Sequence, residues 1–152
     1  MITSCKDNTN SSTGADSKDV LLDKEIAASN AQFPVQVDDA TTLMSLSRDG
    51  NIVTYEYEID ESAFDFETFM AQKERFKSQL ENQIAVLSTP NSEVYVFMSL
   101  LKDTGNSLRY LYKGNRSGKT MVIEFSNDEL KQIIKEYWYR KDAWISDDEK
   151  ER

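Results

Sequence analysis

Apolar and polar residues alternate strictly along residues 52–59, a pattern typical of a strand with one buried face. The buried face collects Val53, Tyr55, Tyr57 and Ile59. Residues 42–47 also favour a strand, and the turn 48–51 contains Gly50, which tolerates the positive φ of tight hairpin turns. The pattern predicts a β-hairpin with one face in the core and the other in water.

A second hairpin is predicted nearer the C-terminus. One face of its strands collects Leu108, Tyr110, Tyr112, Met121, Ile123 and Phe125. A glycine-containing loop, residues 113–119, joins the two strands. Ser126 and Glu129 then match a capping box, in which each side chain bonds the other residue's backbone N–H, so a helix begins there.

Residues 62–87 show helical periodicity instead. Apolar residues recur at spacings of three, four and seven, as Phe66, Phe69, Phe76, Leu80, Ile84 and Leu87. Ser62 with Asp65 resembles a capping box with a shorter acid, and Pro90 ends the segment. One long amphipathic helix is therefore predicted.

Two shorter helices complete the pattern. Residues 20–28 form an amphipathic stretch that starts near Asp16 or Ser17 and ends before Pro34. Residues 92–102 are strand-like in composition, but their apolar spacing fits a helical face and Gly105 follows like a C-terminal cap. We predict a helix there.

This order of elements predicts an α+β fold. Two antiparallel β-hairpins form a sheet that helices cover on one face, within a single domain over residues 20–140. Residues 141–152 form a polar C-terminal tail. The chain's 152 residues leave no room for a second domain of ordinary size.

Residues 1–19 are predicted to form a lipobox-like start and a disordered tether. Residues 6–19 are almost wholly polar and small, so they cannot bury enough apolar surface to fold. Before them, Ile2, Thr3, Ser4 and Cys5 match a bacterial lipobox, in which the cysteine becomes the lipid anchor. The alternative is a chance cysteine in a disordered tail.

Composition narrows the chemistry. A formal net charge of -9 gives the chain no general electrostatic reason to bind nucleic acid. The absence of histidine removes the commonest general base and metal ligand, and one cysteine cannot form an intrachain disulfide. We therefore expect no cofactor, no metal site and no catalytic residues.

Several stretches together carry a family resemblance: residues 2–5 with their polar tether, 28–34, 45–55, 108–112, 117–119 and 123–130. On these stretches the chain resembles small envelope lipoproteins of Bacteroidetes-type bacteria, whose function is unknown. The resemblance implies a domain tethered to the outer membrane or the cell surface. It implies no activity and supplies no catalytic residues.

Basic residues cluster on the second hairpin of this acidic chain. They are Arg109, Lys113, Arg116 and Lys119, and Gly114 and Gly118 could expose backbone amides beside them. Such a loop could bind an anionic group of a glycan or a partner. The alternative, which we favour, is ordinary surface charge that protects a sheet edge.

Aromatic residues suggest a second candidate site. Trp138 and Trp144 lie near the polar C-terminus and could contact a sugar or a peptide. The strand tyrosines are instead expected in the core. The adjacent acids, such as Asp38 with Asp39, do not have the separation that a two-carboxylate hydrolase needs.

The leading hypothesis is a non-enzymatic envelope lipoprotein module, anchored through Cys5. It would contact the membrane through its lipid only, and would bind another envelope component or serve as a structural unit. One alternative is a glycan- or peptide-binding domain that uses the second hairpin and the C-terminal aromatics. Another is a hydrolase that works without histidine.

Overall fold

The computed structural model describes residues 17–89 and 92–134 of the chain. Its helices are α1 (Lys18–Asn30), α2 (Phe66–Ala71), α3 (Lys73–Leu87), α4 (Glu93–Asp103) and α5, of which residues 127–134 are described. Its strands are β1 (Val35–Asp38), β2 (Thr41–Asp49), β3 (Ile52–Ile59), β4 (Ser107–Gly114) and β5 (Thr120–Phe125). The predicted α+β class is confirmed.

The five strands form one sheet in the order β1-β2-β3-β4-β5. The two predicted hairpins, β2-β3 and β4-β5, are antiparallel, and β1 adds an antiparallel edge strand that the sequence pattern did not resolve. The hairpins join through a parallel pair, β3 with β4, in which Tyr55 is opposite Tyr110 and Tyr57 is opposite Tyr112. Helices α2, α3 and α4 make the crossover that such a parallel pair requires.

Local capping explains where three helices begin. The Ser17 side chain accepts a hydrogen bond from the Val20 N–H at the start of α1, so this helix includes the last two residues of the predicted tether. The Ser92 side chain caps α4 in the same way, which confirms a helix there. At α5, Ser126 and Glu129 exchange bonds of 2.9 and 3.1 Å, as the capping box predicts.

The long helix predicted over residues 62–87 is wrong in two respects: the helical structure begins at Phe66, and it is divided into α2 and α3. The Ser62 hydroxyl bonds the Asp60 carboxylate in a turn, and Asp65 caps α2 instead. Gln72, with φ -104° and ψ 22°, separates the two helices. In one continuous helix, Phe69 and Phe76 would be about 10 Å apart along the axis. Their ring centroids are 5.0 Å apart, so the break lets both rings pack together.

The core lies between the helices and one face of the sheet. From the strands it takes Leu46, Val53, Ile59, Leu108, Tyr110, Tyr112, Met121, Ile123 and Phe125. Helix α1 contributes Leu22 and Ile26, and α5 contributes Leu130, Ile133 and Ile134. The opposite face of the sheet carries polar positions: Thr54, as the alternation of the first hairpin predicted, and also Glu124 of the second hairpin.

The part of β2 that does not pair with β1 forms hydrogen bonds with a side chain instead. Strand β1 pairs only with residues 41–43 of β2. Farther along, Asn30 at the end of α1 accepts from the Leu46 N–H at 3.0 Å and donates to the Leu46 carbonyl. It also donates to the Ile26 carbonyl of its own helix at 3.0 Å. The Asn30 amide therefore takes the place of a neighbouring strand at this position.

Candidate functional site

Four tyrosines form a stack across the parallel strand pair. Tyr57 and Tyr112 have ring centroids 4.8 Å apart and planes 13° apart, and Tyr55 and Tyr110 are 5.6 Å and 25° apart. Both pairs face the helices because directly opposite residues share one face of a sheet. Tyr110 and Tyr112 are buried, as the sequence predicts, whereas Tyr55 and Tyr57 are only half-buried.

The half-buried tyrosines face two adjoining hollows of about 640 and 820 Å³. We call the two together the tyrosine groove, because they share Val37, Tyr57, Leu80 and Gln83. Its floor comes from β1 to β4, and its walls come from α1 to α4. Among its other lining residues are Leu43, Phe64, Phe69, Phe76, Ile84, Leu87, Val94, Phe97 and Met98. The lining is therefore mainly aliphatic and aromatic.

The break between α2 and α3 shapes one end of the groove. It brings Phe69 and Phe76 edge-on to Tyr112, with centroids 5.2 and 5.4 Å away and planes 80° and 75° apart. Phe64, in the loop before α2, packs on Phe69 at 5.5 Å and is 40% exposed. Edge-to-face packing of this kind fixes the rings in position, so this end of the groove is preformed.

Among the described residues, all the charged side chains that line the groove are acidic. The ionised side chains in its lining are Asp38 and Asp39 at one end, and Glu25 and Glu93 at the other. Asp38 also accepts from the Ala40 N–H at 2.9 Å, which holds the turn between β1 and β2. The groove thus combines an apolar floor with an acidic rim.

Burial keeps the floor uncharged. It raises the pKa of Tyr55 to about 12, and it raises the pKa of Tyr57, Tyr110 and Tyr112 above the ordinary tyrosine value as well. The proximity of the four rings adds to this effect for the last three, since one phenolate disfavours another. At neutral pH the tyrosines therefore present neutral rings and hydroxyls to the groove.

The predicted basic residues lie apart from the groove. Arg109 pairs with Glu124 at 2.9 Å on the opposite face of the sheet, and Lys119 pairs with Glu67 at 2.9 Å. Lys113 and Arg116 line a smaller hollow of about 360 Å³ that also contains Glu56 and Glu58. The structure therefore places the basic residues among acidic partners, and their role as a ligand site stays a prediction.

The amides of the basic loop already bind a carboxylate of the chain itself. Glu61 Oε1 accepts from the Arg116 and Ser117 N–H groups at 2.5 and 2.7 Å. These bonds, the Ser117 N–H first, lower the pKa of Glu61. A Cβ at Gly114 would lie 2.6 Å from the same oxygen, so only glycine permits this approach.

The remaining predicted positions, Cys5, Trp138 and Trp144, lie outside the described residues, as does the predicted tail 141–152. Within the described part of the chain, no group of three or more acidic, histidine or cysteine side chains is arranged to hold a metal ion. None of the helices described is both long and apolar enough to cross a bilayer.

Sequence reasoning missed the groove itself. The alternation correctly assigned the four strand tyrosines to the buried face. It gave no sign that β3 and β4 are neighbours, and only that pairing brings the four rings together. The available signal was the repetition of Tyr-x-Tyr in both hairpins, at Tyr55 with Tyr57 and at Tyr110 with Tyr112.

Comparison with known proteins gives likeness of fold only. No protein-family model matches the chain, and no curated protein matches it significantly. A presumed secreted protein of Pseudomonas aeruginosa is similar in structure, with a TM-score of 0.57 and 16% identity over 77% of this chain and 99% of that one. The pilotin EpsS of the Vibrio vulnificus type 2 secretion system gives a TM-score of 0.48 and 12% identity, over 74% of this chain and 91% of that one.

Proposed function

We propose that this chain is a non-enzymatic binding module of the bacterial cell envelope, tethered through Cys5, whose tyrosine groove holds an apolar part of its ligand. The observation that carries the proposal is the groove: a preformed concave surface with an aromatic floor and little charge inside. Ligand sites of proteins commonly combine these features. The lipobox-like Ile2 to Cys5 supports the tether, and the presumed secreted protein of similar fold is compatible with an envelope location.

Exposed apolar residues at the groove support a binding role. Val37 is 50% exposed, Phe64 40% and Leu87 48%, and each lines the groove. Apolar area left in water costs about 25 cal/mol per Å² relative to burial. A partner that covers these three side chains would gain that free energy, which is how a contiguous apolar patch favours association.

The groove favours an apolar ligand over a flat sugar. Tyr57 and Tyr110 each stack on two other tyrosines of the floor, so neighbouring rings already occupy the faces at the centre of the stack. A sugar ring that binds by stacking needs a free aromatic face. An apolar ligand needs only contact with the ring carbons that Tyr55 and Tyr57 leave exposed, because its contacts do not depend on stacking.

The groove also offers poor geometry for a two-carboxylate hydrolase. Such an enzyme places two carboxyl groups across the scissile bond, and one of them has a raised pKa. Asp38 and Asp39 are adjacent in the chain, and Asp38 is engaged in a turn. A binding module is therefore the reading that the groove supports best.

Neighbouring residues on α3 provide a matched test of the groove. Leu87 lines it, whereas Val86 is 62% exposed and does not line it. With Nile red, a neutral apolar dye, we expect the parent protein and Val86→Glu to bind alike. Leu87→Glu should lose most of the fluorescence gain, because a carboxylate in the groove disfavours an apolar ligand. Equal binding by the two variants would contradict the groove as the binding site.

The tether has its own test. Labelled palmitate supplied to the native host should enter the full-length protein, and Cys5→Ala should abolish the label while leaving the domain folded. A chain that stays unlabelled and in the cytosolic fraction would remove the anchor from the proposal. It would leave the groove to be judged by dye binding alone.

A further inference from the structure

We infer that the occupant of the tyrosine groove is a cationic amphipathic helix of a partner protein. The inference rests on the proposed binding function and assigns the chemistry of its ligand. Three properties of the groove carry it: the sign of its rim charges, its position within the helical layer, and its length.

The first property is charge. Glu25 and Glu93 lie at one end of the groove and Asp38 and Asp39 at the other, and the described lining contains no basic side chain to neutralise them. A ligand with an apolar middle and with lysine or arginine near each of its ends would place these basic residues beside the acidic residues at the two ends of the groove. A fatty acid or an anionic lipid would place its own negative group against this rim, which disfavours it.

The second property is position. The groove lies on the helix-bearing face of the sheet, and residues of α1, α3 and α4 line its walls. Its floor is formed by side chains of four neighbouring strands, including Val37 of β1 and Leu43 of β2. An amphipathic helix laid there would pack its apolar face on the sheet as the chain's own helices do.

The third property is length. Along α3, the lining extends from Phe76 to Leu87, which corresponds to about 16 Å of helix. That distance matches roughly three turns of a partner helix. Such a helix could place apolar side chains at successive turns over Tyr57 and Leu80, and basic side chains over the two acidic ends.

Charge-matched peptides and variants test the inference. The probe is a short fluorescently labelled helical peptide of leucine and lysine, and its counterpart has glutamate at every lysine. The groove variant carries Glu25→Gln with Glu93→Gln. The control carries Glu74→Gln with Glu81→Gln, which removes the same charge from exposed positions of α3 outside the lining. Binding to the full chain is measured by fluorescence anisotropy at low and moderate salt.

The cationic peptide should bind the parent protein and the control alike, and the groove variant about three- to tenfold more weakly at low salt. The difference should shrink as salt screens the rim charges. Leu87→Ala should weaken the binding of the peptide and of Nile red together, because it removes apolar contact area from the wall of the groove without changing the charge. The glutamate peptide should not bind measurably.

Three results would overturn the inference. Equal weakening in the groove variant and the control, or equal binding of the two peptides, would show that the rim does not select a cationic partner. Cross-peaks in NMR spectra of the peptide-free protein between Tyr57 and either tryptophan would show that the chain's own residues fill the groove. In the first two cases, Nile red binding that depends on Leu87 would leave the proposed function standing.

Discussion

Asn30→Ala is expected to destabilise the protein far more than an ordinary surface substitution. The Asn30 amide bonds both the N–H and the carbonyl of Leu46, a residue that is 2% exposed and lies on a part of β2 that β1 does not reach. The variant leaves both backbone groups without their partner. A buried polar group left unpaired costs about 1–3 kcal/mol.

The net loss should be about 2–4 kcal/mol of the free energy of unfolding. The lower limit allows water to enter the space that the truncated side chain vacates, and a helix gains only about half a kcal/mol from alanine at this position. Urea denaturation followed by circular dichroism measures the loss. With a slope near 2 kcal/mol per molar urea, the midpoint should fall by about 1–2 M at an unchanged slope.

Asn82→Ala is the matched control, because Asn82 is exposed on α3 and the chemical change is the same. It should stay within about 0.5 kcal/mol of the parent protein. Asn30→Asp keeps the acceptor for the Leu46 N–H but loses the donor, so it should also be destabilising. If Asn30→Ala behaves like Asn82→Ala, the edge of β2 does not depend on this side chain and the reasoning fails.

Three further predictions concern the caps, the loop and the tyrosines. Ser126→Ala should lower the free energy of unfolding, measured by thermal denaturation, by about 1 kcal/mol, because the Ser126 hydroxyl caps α5. Ser126→Thr keeps a hydroxyl and should retain most of that free energy. Equal losses in the two variants would show that the cap does not stabilise the helix. The lowered pKa of Glu61 means that its stabilising contribution is present above the ordinary carboxyl pKa and is lost as pH falls through the lowered value, so Glu61→Gln should flatten the acid side of the stability profile. Gly114→Ala should do the same by displacing that carboxylate, and an unchanged profile in both variants would refute the role of the loop amides. The pKa values of Tyr55 and its three neighbours are raised in the folded state. The neutral tyrosines therefore stabilise the folded protein below the ordinary tyrosine pKa near 10, and this stabilisation is lost as pH rises through the raised values. Phenolate absorbance should therefore show four of the seven tyrosines ionising only as the sheet unfolds, and complete titration near pH 10 in the folded state would contradict their burial.

Local chemistry made part of the fold predictable. The hairpin over residues 42–59 follows from strict alternation around a turn in which Gly50 adopts φ 63°. The caps at Ser92 and Ser126 follow from side chains that reach backbone groups only three residues away. Each of these features depends on residues close together in the chain, so a sequence pattern contains the necessary information.

Features that depend on distant residues were not predictable in this way. The apolar spacing from Phe66 to Leu87 fits one helix, and the break at Gln72 arises because Phe69 and Phe76 both pack on Tyr112 of a later strand. The short edge strand β1 does alternate apolar and polar residues, as Val-Gln-Val-Asp, but four residues are too few to distinguish a strand from a loop by periodicity. The groove combines both difficulties, since its floor and walls come from eight separate elements, four strands and four helices.

The parallel pairing of β3 with β4 also has a consequence for folding kinetics. Each hairpin can form from neighbouring residues, but their junction must wait for the intervening helices to bring the two strands together, which carries a loop-closure entropy that short turns avoid. Tyr57 and Tyr112 come from opposite sides of that junction. Coupling between their rings in near-ultraviolet circular dichroism should therefore report the docking of the two hairpins. It should develop after the far-ultraviolet signal, so a partly folded chain would carry most of its secondary structure before it could bind a ligand.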